Sequence, residues 1–322
     1  MAKLRRNYES GSGEVKGMVR ISIFAIILLG LLYFGYDRLL SGNNKNSATP
    51  IVLKTAEGAV SGDGKRSTDE AQEPENDPNI YQEKPWLPNT RNGEIVDHTY
   101  YTLSYVEAYE QAEWVSYPLT QELLRKPNIS RTDYFFDDPK VSTQSATYYD
   151  YKGSGYTKGH LAPAADMAFD TLAMRESFYM SNMSPQLRAF NNGIWRELEE
   201  QTRDWTYHNK SVYIVSGPVF GTTIRKTKKG IAIPDYFFKI ILDVTEPDRK
   251  GIAFLIPHRL CEERLQDFAV SIDAVESITG IDFFGHLPGQ AAVDLIESNA
   301  DVNKWKFSED RYKLRVSRWN RE

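Results

Sequence analysis

The sequence predicts an α+β fold in which a central, mainly antiparallel sheet is flanked by helices, preceded by one transmembrane helix. Three observations carry that expectation. Two strand-like apolar runs, DYFFKIILDV (Asp235–Val244) and GIAFLIPH (Gly251–His258), stand on either side of a PDRKG turn, a spacing that suits an antiparallel pair. The run Glu263–Gly280 repeats apolar residues at Leu265, Phe268, Ile272, Val275 and Ile278, which is the face of a helix ending at glycine. Near the N-terminus, ISIFAIILLGLLYFGY (Ile21–Tyr36) holds no charge.

Residues 1–20 read as a cytoplasmic basic tail with Lys3, Arg5, Arg6, Lys16 and Arg20. Residues 21–36 read as a signal anchor, lengthened by Met18 and Val19, with Arg20 reaching the head groups and Tyr33 and Tyr36 at the far interface. The following DRLLSGNN offers neither a small-x-small cleavage site nor a lipid-anchor cysteine, so the segment is expected to stay uncleaved. Positive charge before the span keeps the tail inside and puts everything after Asp37 on the exported side, periplasmic or extracellular. Residues 37–85 are rich in Asn, Ser, Asp, Glu, Gly and Pro, cannot bury enough apolar surface to order themselves, and read as a disordered linker.

The globular domain is expected over 86–300, followed by a basic C-terminal extension over 301–322. His98–Thr120 mixes strand-like aromatics with a short helical piece. Ala146–Gly155 reads as a strand ending in a Gly-rich turn, and Ser211–Phe220 as a buried strand stopped at Gly217-Pro218. Arg225–Gly230 (RKTKKG) is a basic loop that suits either a substrate track or plain solvation.

Composition narrows the function. Aromatic residues make up 12% of the 322, enough for one sizeable core, and the formal charge of −5 excludes a globally basic nucleic-acid binder. Any phosphate-binding activity therefore needs a local basic groove. The single cysteine, Cys261, excludes an intrachain disulfide and a Cys-rich metal site; its amphipathic surroundings suit a buried thiol.

Two clusters carry the chemistry: YTKGHLAPAADM (Tyr156–Met167) and SNMSPQLRAFNNGIWRELEEQTR (Ser181–Arg203). A base, an amide ligand and a water-binding carboxylate are the minimum set for metal-assisted phosphodiester hydrolysis. The triplet Lys158-Gly159-His160 with its Leu161–Asp166 sequel, the step Asn182-Met183-Ser184-Pro185-Gln186 and the run Asn191–Glu199 (NNGIWRELE) resemble the DNA/RNA non-specific endonuclease family. VSGPVF, Pro234–Lys239, AFLIP and Val275–Phe284 resemble its later strands and closing helix. The resemblance spans roughly Trp86–Leu295. It implies a ββα-metal (His-Me finger) endonuclease fold, an Mg²⁺ cofactor with Mn²⁺ as a substitute, and hydrolysis of DNA and RNA to 5′-phosphates through backbone contacts that ignore base identity. Oligomeric state, a homodimer included, is left open.

The same resemblance assigns expected roles. His160 is the general base, since neutral imidazole accepts a proton at physiological pH. Lys158 shares its face of an extended strand and faces the scissile phosphate. Asn191 offers a carboxamide oxygen to the cation and also stands where a helix would begin, an N-cap position. Glu199, about two turns on, holds water of the cation's shell, while Glu197 and Glu200 point to solvent. Arg203 forms either a surface pair with Glu199 or a phosphate contact. Asn182 holds the cleft or touches phosphate, and Asp166 orients its loop. His98, His208, His258 and His286 have no matching partners and read as structural or surface groups. The chain departs from the family at Lys158, where arginine is usual, and at Thr157, where an acid is common. Two other readings follow: a catalytically silent tethered module that binds nucleic acid or a partner, and a phosphodiesterase for smaller substrates.

Overall fold

The computed structural model describes residues 79–322. The basic tail, the apolar span and nearly all of the expected linker lie outside the described residues. Among the described residues no helix is long and apolar enough to cross a membrane.

The strands are β1 (Glu94–Asp97), β2 (Thr102–Val106), β3 (Gln111–Thr120), β4 (Thr157–His160), β5 (Met183–Gln186), β6 (Ser211–Val219), β7 (Arg225–Lys226), β8 (Ala232–Ile233), β9 (Tyr236–Asp243), β10 (Lys250–Pro257) and β11 (Ala269–Val270). Seven of them form one sheet in the order β1-β2-β3-β6-β9-β10-β11. Every neighbouring pair in it is antiparallel. The longer helices are α1 (Thr171–Ser177), α2 (Arg196–Asn209), α3 (Ile272–Thr279), α4 (Gln290–Glu297) and α5 (Glu309–Ser317).

Alternation along β9 shows why the central strands read as continuous apolar runs. Phe237 and Ile241 join the core that holds Trp195, Leu198 and Trp205 of the α2 side. Phe238, Ile240 and Leu242 join the opposite core with Ile272 and Val275 of α3 and Val293 of α4. The sheet is therefore covered on both faces, and both sets of alternating side chains must be apolar. Lys239 breaks the pattern on the α2 side.

Beside the main sheet, β4 and β5 pair antiparallel, with His160 opposite Met183 and Gly159 opposite Ser184. Only glycine fits at 159: a Cβ there would stand 2.1 Å from the Gln186 side chain. This two-stranded piece followed by α2 is the ββα unit that the resemblance implied.

Several elements differ from the sequence reading. Residues 80–83, assigned to the linker, form a helical turn that buries Ile80. Residues 148–151 are helical rather than extended, because Asp150 accepts hydrogen bonds from the backbone N and Oγ1 of Thr147 and closes a capped turn. β6 continues through Gly217-Pro218 instead of stopping. Gly217 serves close packing there, since a Cβ would lie 2.3 Å from Glu113 O. The expected helix over Glu263–Gly280 is divided: β11 intervenes, and α3 begins only after Ser271, whose Oγ accepts from Ala274 N. Its glycine end is as expected, with Gly280 at φ +71. The basic loop at 225–230 opens a small β7–β8 hairpin.

The C-terminal extension belongs to the fold. Arg315 of α5 is fully buried and donates to the Glu197 carboxylate, Cys261 O and Glu263 O. Glu197, expected in solvent, is 3% exposed. A helix of alternating charge reads as solvated until the partner covering it is known, and here α5 supplies that partner. Glu200 does remain partly exposed, bonded to Arg196 and Arg311. Burial pushes the Cys261 thiol up to about 11, which makes it an inert core group.

Truncating Arg315 strands a buried carboxylate. Arg315→Ala is expected to cost about 3–5 kcal/mol and to lower the melting temperature by about 2–4 °C per kcal/mol. A compensating Arg315→Met/Glu197→Leu pair recovers most of that loss in the same thermal melt; equal melts for wild type and Arg315→Ala would remove the pair from the account.

Candidate active site

His160 closes β4, with Lys158 on the same strand face and Thr157 and Gly159 on the other. Its ring is 8% exposed, stands edge-on to Phe178 at 5.0 Å between centroids and tilts against Phe135 at 6.1 Å. Nε2 has no hydrogen-bond partner. Burial pulls its pKa down to about 3, and the nearby Arg131 and Lys158 cations add to that, opposed by Asp133. The imidazole is therefore neutral across the physiological range.

The backbone around His160 is fixed from two directions. Its carbonyl accepts from Trp195 Nε1 at 3.2 Å. Asn182 clips the loop that follows: Oδ1 accepts from Ala162 N, and Nδ2 donates to Ala162 O and Ser177 O, all within 2.9 Å. Asn182 is fully buried, and these bonds engage both its amide and its oxygen. Of the two roles considered for it, the hydrogen bonds match the one that holds the cleft.

Asn191 is not an N-cap. Its φ of −61 and ψ of −52 are helical, and its N–H already bonds Leu187 O, because a helical turn begins at Arg188. The run kinks at Gly193 (φ −91, ψ −110) before α2 starts. Asn191 Nδ2 donates to Thr157 Oγ1 at 3.1 Å, and Thr157 in turn donates to Gln186 O. That fixes the carboxamide at the start of β4 and leaves Oδ1 without a donor among the described residues. Thr157, a departure from the family pattern, is thus the residue that orients Asn191.

Glu199 of α2 is half-buried and makes no hydrogen bond or ion pair among the described residues. Burial raises its pKa to about 7, with Asp166 adding to the rise; Lys239, Arg203 and Arg131 oppose it. Arg203 bonds Asp166 at 2.8 Å rather than Glu199, and Asp166 also accepts from Tyr117 OH at 2.8 Å. The expected i,i+4 pair is therefore replaced by a longer-range one, which leaves Glu199 free. Lys239 is 1% exposed, donates to Ser216 Oγ at 2.5 Å, and stands 4.9 Å from the centre of the Trp195 ring. Burial lowers it to about 8 against the pull of Glu199.

Two residues that the sequence did not single out belong to this site. Arg131 pairs with Asp133, lies 5.3 Å from the Phe178 ring centre and acts on both His160 and Glu199. With Arg203, Asn128 and Asp204 it lines a cavity of about 440 Å³ whose lining does not include His160, Asn191 or Glu199. Nothing in the sequence marks Arg131. Lys239 was visible as one cation in an apolar strand. Arg131 and Lys158 are the cations acting on His160, and Lys239, Arg203 and Arg131 those acting on Glu199. The 225–229 loop contributes less: Arg225 pairs with Asp235, and Lys226 bonds Ala108 O. His258 accepts from Leu187 N and meets Pro234 O, and His98 meets Asp138, so both are structural.

Among the described residues no group of three or more His, Cys, Asp or Glu side chains is arranged to hold a metal ion. A cation at Asn191 would keep most of its shell as water, as Mg²⁺ readily does. The uncommitted Oδ1 and the unpaired Glu199 carboxylate fit such a hydrated ion.

Comparison with known proteins agrees with this architecture. The family model for DNA/RNA non-specific endonuclease matches residues 83–290. The chain is 33% identical over 220 residues to nuclease C1 of Cunninghamella echinulata var. echinulata, covering 63% of this chain and 87% of that protein. It is 36% identical over 199 residues to the mitochondrial nuclease of Saccharomyces cerevisiae, covering 54% of this chain and 60% of that one. With the human mitochondrial nuclease EXOG it shares 32% over 209 residues, 59% of this chain and 56% of the relative. The matches thus span under two thirds of the yeast and human proteins. A solved EndoG, from the EndoG/EndoGI complex, superposes with a TM-score of 0.57 at 26% identity, covering 65% of this chain and 92% of that chain. The model match and these likenesses, joined to the α+β fold with its central antiparallel sheet, show that the chain belongs to the DNA/RNA non-specific endonuclease family.

Proposed function

We propose that this chain hydrolyses phosphodiester bonds of DNA and RNA, with a divalent cation as cofactor, and that residues 21–36 anchor it so that it works on the exported side of a membrane. The observation that carries the catalytic part is the neutral His160 imidazole set beside Lys158, with the open Asn191 Oδ1 hung on the same strand through Thr157. Asn191 would hold the cation, whose chemistry would be to neutralise the non-bridging phosphate oxygens and the departing 3′ oxygen. Lys158 and Arg131 draw the phosphate toward His160. The arriving anion offsets their repulsion of a protonated ring, so the imidazole becomes more basic when substrate is present. His160 then takes the proton of the attacking water. Glu199 orients water near Asn191, and Asn182 and Trp195 keep the base in place. A silent binding module is the second reading; the lysine at 158 favours it, because an ammonium lacks the planar fork of a guanidinium.

Plasmid DNA and a structured RNA are expected to be degraded by the purified protein with Mg²⁺ and spared in EDTA. His160→Ala loses about 10²–10⁴-fold in rate while retaining binding. Binding without any turnover in the wild type favours the silent module.

Glu199 adds a pH dependence. A carboxyl whose pKa is about 7 holds a proton below that pH and cannot serve the cation's water, so apparent Mg²⁺ affinity falls as pH drops through about 7. Lys239 is the largest influence holding that value down; Lys239→Met therefore moves the midpoint to higher pH. Calorimetric Mg²⁺ titrations from pH 6 to pH 9 check this, and a pH-independent affinity counts against Glu199.

For the anchor, N-terminal sequencing of the membrane-extracted protein should give a start before Ile21. A start near Ser41 means that the segment is removed.

A further inference from the structure

Lys158 lies against an aromatic wall that phosphodiester hydrolysis does not itself require. Its Nζ is 4.4 Å from the Tyr148 ring centre and 4.6 Å from that of Phe135. Phe135 also touches the His160 ring, so the wall is continuous with the base. Tyr148 meets Tyr149 edge-on at 5.7 Å, and Tyr149 is 71% exposed. Tyr134, next to Phe135, is 73% exposed. Tyr148 and Tyr149 stand in the capped turn at Thr147–Asp150, and both are exposed. Among the described residues the Tyr149 side chain makes no hydrogen bond and Tyr134 makes no ring contact, and both are exposed, so neither fills a core position.

Resting on the nuclease reading above, we propose that this wall is a stacking platform for bases flanking the scissile phosphate, and that the preferred substrate is single-stranded nucleic acid. A phosphate held at Lys158 carries a sugar and base on each side, and the ring supporting the lysine is the nearest flat surface they meet. Every base has a π-face, so stacking on tyrosine tolerates any sequence, as backbone hydrolysis does. In a duplex the bases are paired inward and stacked on one another, and the rings meet only backbone. Stacking adds a contribution that does not depend on basic residues.

The test uses the full-length protein in detergent, carrying His160→Ala so that nothing is cut. Fluorescent 12-mers of mixed sequence, as single-stranded DNA, single-stranded RNA and a hairpin duplex, are titrated at one salt concentration. Both single strands are expected to bind more tightly than the hairpin. Tyr149→Ala, chosen because Tyr149 does not touch Lys158, weakens single-strand binding by about 5–150-fold, the equivalent of about 1–3 kcal/mol for one stacked base. Tyr149→Trp restores it, and hairpin binding moves much less than single-strand binding. Equal affinity for all three probes, or equal losses on single strand and hairpin, overturns the proposal. Tight single-strand binding by a wild type that never cleaves sinks the nuclease reading and leaves the platform standing; cleavage with no strand preference does the reverse.

Discussion

The indole N–H of Trp195 reaches the carbonyl of His160 across 35 positions of sequence, and the site depends on that join. One cluster supplies a strand ending in a base. The other supplies a carboxamide and a carboxylate along a helical run. Trp195 secures the far end of β4 to the start of α2, while Asn191 secures the near end through Thr157. The indole is itself held by Phe190, Phe237 and Lys239. Gly159 lets β5 lie close against β4, so the two strands and the kinked helix form one rigid unit. His160 is then positioned by its backbone and by core packing, and Nε2 of its ring has no hydrogen-bond partner among the described residues.

Electrostatics follows from that packing. Placing Glu199, Lys239, Arg203 and Asp166 in one half-buried space stabilises the set only because opposite charges alternate. The direct bond between Arg203 and Asp166 matters most, since it removes Arg203 from Glu199. Glu199 is left with Coulomb partners but no hydrogen-bond donor, which suits a group meant to bind water. Burial holds His160 neutral, and the Arg131 and Lys158 cations add to it.

Much of this was legible in the sequence, for identifiable reasons. The antiparallel β9–β10 pair followed from two apolar runs around a turn, and the two ordered clusters fall on the β4–β5 pair and α2. What the sequence hid was mainly tertiary. Glu197 reads as a surface residue unless α5 is known to fold back over it. Arg203 reads as the partner of Glu199 because local spacing cannot show Asp166 closer by. The helical turn at 148–151 was masked by tyrosines that favour strands, although Thr147 and Asp150 stand at capping distance. Arg131 sits in a segment without periodicity, and only the fold brings it to His160. Lys239 was the opposite case: a cation in a strand buried on both faces is a signal, one that the two-residue period alone would have aimed at α2.

The account stands on His160 and Asn191 sharing one hydrated cation. The most direct measurement is paramagnetic broadening by Mn²⁺ of the ring resonances of isotopically labelled histidines. Selective broadening of His160, with His98 and His286 little affected, is the predicted result, and it should vanish in Asn191→Ala. A His160 signal that Mn²⁺ leaves sharp, or one broadened equally without Asn191, would contradict the site.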